Sequence, residues 1–111
     1  MIKIRISKEN NIIFSILIEG HSGYDFQGKD IVCSSVSSIA ITTVNAILKI
    51  DDKALDYKEK DGYLKINILK HDKYIDILIE NMCDLLKELE KKYKKYIKII
   101  WLGGVSWNWC N

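Results

Sequence analysis

The sequence predicts an α+β domain of two layers, in which two helices pack on a largely antiparallel sheet. Apolar and polar residues alternate in four short segments, which is the pattern of strands with one buried face. In two longer segments the apolar residues recur every three to four positions, which is the pattern of amphipathic helices. The order of the segments is β-β-α-β-β-α, with a possible last strand, and this order favours two helices on one sheet.

The composition is that of an ordinary soluble domain. The chain has 111 residues, of which 48% are hydrophobic and 29% are charged, and its net charge is +2. The lysines are interspersed with acidic residues, so we expect no direct binding to nucleic acid. The N-terminal segment MIKIRIS lacks an apolar stretch long enough for a signal peptide or a membrane span. We therefore expect a cytoplasmic protein without a membrane partner.

The chain offers no linker-like sequence that would divide it into two domains. It contains no proline and shows no internal repeat. We expect a single domain over residues 1–102. The Trp-rich tail over residues 103–111, with Trp107 and Trp109, has no assigned role and is expected to pack on the sheet or at a subunit interface.

The first two alternating runs predict a β-hairpin. Ile2, Ile4 and Ile6 alternate with polar residues in the first run. The second run places four apolar residues on one face, namely Ile12, Phe14, Ile16 and Ile18. The residues between them, Ile13, Ser15, Leu17 and Glu19, lie on the other face. The run ends at Gly20, so His21 is expected to leave the sheet at its edge.

A loop is predicted over Ser22–Lys29, where glycines bracket a segment without apolar periodicity. Tyr24 and Phe26 in this loop are candidates for contact with an apolar ligand. The alternative is a connector without a binding role.

The first helix is predicted to begin after Asp30 and to run to about Ile50. Asp30 is a suitable N-cap for the backbone N–H of Cys33, three residues later. The helical repeat predicts one stripe toward the core and a neighbouring polar stripe, which contains Asp30, Cys33, Ser34 and Ser37.

The second half of the chain predicts another hairpin and another helix. Leu55–Glu59 and Tyr63–Leu69 flank Asp61-Gly62, a strong signal for a tight turn. Asp72 is the predicted N-cap of the long second helix, and residues 97–102 form the possible last strand.

Cys33 and His21 form the candidate catalytic pair. A cysteine in the first turn of a helix lies near unpaired backbone N–H groups and the positive end of the helix dipole. Both favour the thiolate, so we expect the pKa of Cys33 to fall from about 8.5 toward neutrality. His21 is the candidate base, and the helix-start amides at Cys33 and Ser34 are candidates for an oxyanion hole.

Each of these residues also has a purely structural interpretation. Cys33 is alternatively a small buried apolar residue, and His21 an unrelated surface residue. Asp30 either caps the helix or orients His21 as the third member of a triad. Ser37 either hydrogen-bonds near the thiolate or to a backbone carbonyl.

The remaining cysteines and histidine predict no cofactor site. Cys83 lies inside the second helix and is expected to be structural, Cys110 has no predicted role, and His71 is expected to be a turn residue. A zinc site built from His21, Cys33, His71 and Cys83 lacks the short paired spacing of zinc ligands.

The stretch around the candidate pair resembles the ribosomal-processing cysteine protease family, Prp. The similarity lies in Gly20-His21, a glycine-containing loop, Gly28-x-Asp30-Ile31-Val32-Cys33 and Val36-Ser37. Further agreement comes from Thr43-Val44-Asn45-Ala46 and from Asp61-Gly62-Tyr63-Leu64. The resemblance extends to about Ile100, and the Trp-rich tail is not part of it.

The resemblance implies a homodimeric cysteine endopeptidase. Its substrate would be the precursor of the twenty-seventh protein of the large ribosomal subunit, from which it removes a short N-terminal extension ending in apolar and aromatic residues. Cys33 would be the nucleophile and His21 the general base, while Gly20, Asp30 and Ser37 match further active-site positions. Ser22–Lys29 would be a mobile loop over the site.

A second hypothesis is a non-catalytic ribosome-assembly or peptide-binding module. It would use the sheet edge and the loop that carries Tyr24 and Phe26. A third hypothesis is reversible redox sensing by Cys33, without peptide cleavage. Rapid alkylation of Cys33 relative to Cys83 near pH 6 would favour the nucleophile over the binding module.

Overall fold

The computed structural model describes residues 1–21 and 31–103. Within these residues the elements are β1 (Ile2–Glu9), β2 (Ile12–Glu19), α1 (Ile31–Ile50), β3 (Leu55–Lys60), β4 (Tyr63–Ile68), α2 (Lys73–Lys92) and β5 (Ile97–Gly103). The predicted element order is confirmed, and the possible last strand is present. It ends at Gly103, one residue beyond the predicted end of the domain.

The five strands form one sheet in the order β3-β4-β2-β1-β5. Three of the four strand pairs are antiparallel, and β5 pairs with β1 in parallel. Strands β4 and β5 run in the same direction, so a crossover must connect them, and α2 provides it. The prediction of two helices on a largely antiparallel sheet is therefore confirmed.

The hydrophobic core lies between one face of the sheet and the two helices. The central strands contribute Ile2, Ile4, Ile6, Ile16, Ile18, Leu64, Ile66 and Ile68 to it. Helix α1 contributes Val32, Val36, Ala40, Val44 and Ile47, and α2 contributes Ile75, Ile79, Met82, Cys83 and Leu86. Each fully buried isoleucine stabilises the fold by about 1.5–3 kcal/mol relative to an exposed one, so this layer is the main stabilising feature.

The two hairpin turns follow from their residues. Asn10 and Asn11 both adopt positive φ angles, of 53° and 65°, which asparagine tolerates better than most residues. Asp61 and Gly62 connect the paired residues Lys60 and Tyr63, with Gly62 at a φ of +67°. Both predicted hairpins are confirmed.

The predicted faces of β2 need one correction. The pairing with β1 shifts between Ser7 and Lys8, so that Ser7 faces Ser15 while Lys8 faces Ile13. Phe14 is the extra residue of this β-bulge and is 44% exposed, whereas Ile13 packs against the core. Ile12 is exposed as well, and Ser15, predicted to face away from the core, is only 7% exposed. A bulge exchanges the faces beyond it because side chains alternate with a period of two.

Helix α1 is long and apolar enough to cross a membrane by length and composition alone. In this fold, however, one side of the helix packs in the core. Its exposed positions carry mainly polar side chains, among them Ser34, Ser37, Ser38, Thr42 and Asn45. This distribution is that of a core helix with one face toward solvent.

Helix α2 begins as predicted. The Asp72 side chain accepts hydrogen bonds from the backbone N–H groups of Tyr74 and Ile75, both at 2.9 Å. The lysines at the other end include Lys91 and Lys92 in the last turn, where positive charge faces the negative end of the helix dipole.

Candidate active site

A cavity of about 150 Å³ lies where β2 ends, α1 begins and the β3–β4 turn approaches both. Its apolar wall consists of Ile2, Ile18, Val36, Ile41 and Leu64, and its polar wall contains Gly20, His21, Cys33, Ser37 and residues Glu59–Tyr63 of the hairpin. The structure thus brings both members of the candidate pair, and two of the supporting residues, to one cavity.

Cys33 lies in the first turn of α1, as the third residue of the helix. It is partly buried and packs against the core. Because the first four N–H groups of a helix have no partner within the helix, a thiolate at this position lies near hydrogen-bond donors and the positive end of the dipole. The location suits a nucleophile whose anion must be stabilised.

Cys83 has the opposite environment. It is almost completely buried in α2, and burial raises its pKa to about 11. A thiol with so high a pKa is almost entirely protonated near neutral pH, so it is a poor nucleophile there. The structural role predicted for Cys83 agrees with this environment.

His21 follows β2 directly and is held by its main chain. The Met1 amino group donates a hydrogen bond to the His21 carbonyl oxygen at 2.6 Å, and the N–H of Gly20 donates to the Gly62 carbonyl oxygen at 2.9 Å. The imidazole itself is 63% exposed, so it remains accessible to solvent and to a substrate. Its backbone is held by these two hydrogen bonds, while its ring stays largely exposed.

Position 20 requires a glycine for two reasons. Its φ of +99° lies in the region that favours glycine, and a Cβ at this residue would collide with the Met1 carbonyl oxygen. The close approach of Met1 and Gly20 brings the start of β1 against the end of β2 and thereby fixes where His21 leaves the sheet.

The other candidate residues have different placements. The backbone of Ser37 is one helical turn from Cys33, and Ser37 lines the cavity. Ser34 is exposed and is not among the lining residues, although its backbone N–H is in the first turn of α1. Tyr24, Phe26 and Asp30 lie outside the described residues, as does the predicted loop over Ser22–Lys29. The two roles considered for Asp30 therefore stay predictions.

His71 is separate from this site. Its Nδ1 lies 3.1 Å from a carboxylate oxygen of Asp76, in the first turn of α2. Among residues 1–21 and 31–103, no group of three or more His, Cys, Asp or Glu side chains is arranged to hold a metal ion.

The β3–β4 turn is the part of the cavity wall that the sequence did not predict. Asp61-Gly62 is recognisable as a turn, but no local pattern shows that this turn meets His21. The contact depends on the pairing of β2 with β4, in which Glu19 faces Tyr63. Such pairing across 44 residues is not encoded in any short motif.

Comparison with known proteins gives a consistent result. The sequence profile of the family described as cysteine protease Prp matches residues 1–98. A ribosomal processing cysteine protease Prp from Bacillus subtilis is 27% identical over 103 residues, which cover 86% of this chain and 91% of the relative. The protein of the same name from Staphylococcus aureus is 23% identical over 101 residues, or 88% of this chain and 94% of the relative.

Solved structures share the fold. A protein from Streptococcus mutans is 27% identical, with a TM-score of 0.78 over 92% of this chain and 94% of that one. The Staphylococcus aureus protease Prp, solved in complex with a covalently linked product peptide, is 23% identical and has a TM-score of 0.84 over 91% of this chain and 99% of that one. At this identity, the second similarity supports the fold alone.

Proposed function

The chain belongs to the cysteine protease Prp family, and on this premise we propose that it is an endopeptidase in which Cys33 is the nucleophile and His21 the general base. The observation that supports this proposal is that both residues line one cavity, although they leave different elements of the fold. Gly20 and Ser37, two further positions of the family pattern, line it with them.

The proposed reaction proceeds through a thioester. The Cys33 thiolate attacks the carbonyl carbon of the scissile peptide, and the resulting oxyanion accepts hydrogen bonds from the backbone N–H groups at the start of α1. The C–N bond then breaks as the His21 imidazolium gives its proton to the leaving amine. Neutral His21 next takes a proton from water as its oxygen attacks the thioester carbon. The C–S bond then breaks, which releases the peptide acid and restores the Cys33 thiolate and the His21 imidazolium.

The proposed substrate is the precursor of the twenty-seventh protein of the large ribosomal subunit, with its short N-terminal extension. Two observations support this proposal: the curated relatives are ribosomal processing proteases, and the cavity lining includes apolar side chains, among them Val36, one helical turn from Cys33. Apolar lining residues suit the apolar and aromatic residues expected before the cleavage site. By extension we propose a cytoplasmic location, where ribosomes are assembled.

We further propose that residues 1–102 form the protease domain, that residues 103–111 form a separate tail, and that the protein is a homodimer. The uncovered face of the sheet supports dimerisation, because exposed apolar side chains there, including Leu102, have no covering layer within the described chain. Sedimentation equilibrium over a range of protein concentrations measures the mass directly. A monomer mass at micromolar concentrations would contradict the dimer.

Incubation with the ribosomal precursor, followed by mass spectrometry, tests the proposed function. We expect two products whose masses add to that of the precursor plus one water, with the cut after the apolar segment of the extension. The mature protein, which lacks the extension, should remain intact. Tight binding of the precursor without cleavage would instead support the peptide-binding module.

A further inference from the structure

The imidazole of His21 lies against the β3–β4 turn. Its Nε2 is 3.7 Å from a carboxylate oxygen of Asp61. The same edge of the ring faces Gly62, since a Cβ built on Gly62 would stand 2.7 Å from Nε2 and 3.2 Å from Cε1. The turn therefore approaches the ring from the Nε2 side, and Nδ1 is the ring nitrogen farther from it.

The turn is held in place by main-chain contacts. The hydrogen bond from the Gly20 N–H to the Gly62 carbonyl oxygen joins the turn to the residue directly before His21. The Glu19–Tyr63 pair of the β2–β4 ladder lies beside it. Because both contacts belong to the backbone, the position of the turn relative to His21 does not depend on flexible side chains.

We propose that Asp61 is a positioning residue for His21: it accepts a hydrogen bond from Nε2–H and so directs the Nδ1 lone pair, or its proton, to Cys33. The proposal rests on the proposed catalytic roles of His21 and Cys33. The side chains are 3.7 Å apart without substrate, and catalytic hydrogen bonds are often long in unliganded enzymes. A carboxylate at Nε2 selects the tautomer in which Nε2 carries the proton.

Charge strengthens this orienting contact. An ionised carboxylate accepts a stronger hydrogen bond from Nε2–H than a neutral amide oxygen does. Among the described residues, the other ionisable groups that line the cavity are Glu59, Lys60 and Tyr63 of the hairpin and Cys33 of α1, and the Met1 amino group donates to the His21 carbonyl oxygen. Lys60 also lies over the Tyr63 ring, at 5.5 Å.

The effect of removing the charge should be modest, because the Asp61 carboxylate is 96% exposed and solvent screens it. We expect Asp61→Asn to lower kcat for precursor cleavage by about threefold to fivefold, while KM stays within about twofold. A fall in kcat without a rise in KM is expected because the carboxylate orients the base and does not bind the substrate. Asp61→Glu should restore most of the rate, because it keeps the accepting carboxylate.

Asp52→Asn is the matched control. It removes the same charge from an exposed residue that precedes β3 and does not line the cavity. We expect kcat and KM of Asp52→Asn to equal those of the wild type. Equal kcat values for Asp61→Asn and Asp52→Asn would overturn the proposal, as would a loss in Asp61→Asn that Asp61→Glu does not restore.

Alkylation separates this proposal from the proposed function, because it needs no peptide substrate. Iodoacetamide should modify Cys33 about threefold more slowly near pH 6 in Asp61→Asn than in Asp52→Asn, because the imidazole is less firmly directed toward the thiol. If the wild type fails to cleave the precursor but the two variants differ in alkylation rate in this way, the substrate assignment fails and the positioning role of Asp61 stands. Equal alkylation rates would overturn that role.

Discussion

At the scale of single residues, the two described cysteines show how environment decides reactivity. Cys33 lies at a helix start and lines a cavity, whereas Cys83 is enclosed by the core and has a pKa of about 11. Sequence position predicted this division, because a cysteine at the start of a helix and a cysteine in the interior of a helix have different surroundings.

Alkylation kinetics test the division. At neutral pH a pKa of about 11, against the ordinary 9.0, leaves about a hundredfold less thiolate on Cys83. We expect iodoacetamide to label Cys33 at least about a hundredfold faster than Cys83 in a Cys110→Ser background, measured by mass spectrometry of the two peptides. The Cys83 rate should rise about tenfold with each pH unit and level off near pH 11. Similar rates at pH 7 would contradict this assignment.

Gly62 provides a second prediction for a single residue. In Gly62→Ala the new Cβ would stand 2.7 Å from Nε2 of His21, so the ring must move. We expect kcat/KM to fall at least about tenfold, since a displacement of about 1 Å in a catalytic group has large effects on rate. Steady-state kinetics of precursor cleavage by Gly62→Ala and by the wild type give the two kcat/KM values to be compared.

Asn11→Ala controls for backbone strain in this comparison. It places an alanine at a similar positive φ, of 65°, in the β1–β2 turn without adding a Cβ. Both variants should lose some thermal stability, of the order of 1 kcal/mol, from strain in the left-handed region. Only Gly62→Ala should lose activity, and an equal loss in both would show that strain alone explains the effect.

At the scale of elements, most of the fold could be predicted because its signals are local. Alternation defined the strands, Asp61-Gly62 defined a turn, and Asp72 defined the start of α2. The β-bulge at Phe14 was not predictable, because Ile12–Ile18 reads equally well as an unbroken alternation. Only the pairing with β1 shows where the extra residue lies.

Deletion of Phe14 tests the account of the bulge. Without this residue, Ile13 and Ser15 would be adjacent and would still face Lys8 and Ser7, so the ladder would become regular and every core residue would keep its face. We expect the unfolding free energy to change by less than about 1 kcal/mol, measured by chemical denaturation. Deletion of Leu17, which would reverse the faces beyond it, should prevent folding. Equal losses in both deletions would contradict this account.

Helix α2 offers a matched pair of isoleucines. Ile79 is 4% exposed and belongs to the core, while Ile77, two residues earlier, is 53% exposed. Ile79→Ala should lower the unfolding free energy by about 2–5 kcal/mol through lost burial and a cavity. Ile77→Ala should change it by less than about 0.5 kcal/mol. Chemical denaturation of the two variants measures this difference. Similar denaturation midpoints would contradict the assignment of Ile79 to the buried face of α2 and Ile77 to the exposed face.

At the scale of the whole molecule, the candidate site is assembled from three parts of the chain. His21 comes from the end of β2, Cys33 from the start of α1, and Asp61 and Gly62 from the hairpin that follows. The first two could be predicted because thiol and imidazole are distinctive and close in sequence. The hairpin could not, because its contact with His21 arises from the sheet order and the β2–β4 register.

The shape of the molecule explains why the site lies where it does. Both helices cover one face of the sheet, and the cavity opens at the sheet end where α1 begins. The start of α1, with the positive end of its dipole, thus lies beside the strand end that carries His21. This meeting of a thiol, an imidazole and backbone donors at one cavity is the basis for assigning peptide hydrolysis to the site.

The rate of precursor cleavage by Cys33→Ala, compared with that of Cys83→Ala, is the most direct test. We expect Cys33→Ala to lose at least about a thousandfold in kcat, because removal of a nucleophile eliminates the covalent pathway. Cys83→Ala, corrected for its folded fraction, should cleave within about twofold of the wild-type rate. Cleavage by Cys33→Ala at the wild-type rate would contradict the assignment of Cys33 as the nucleophile.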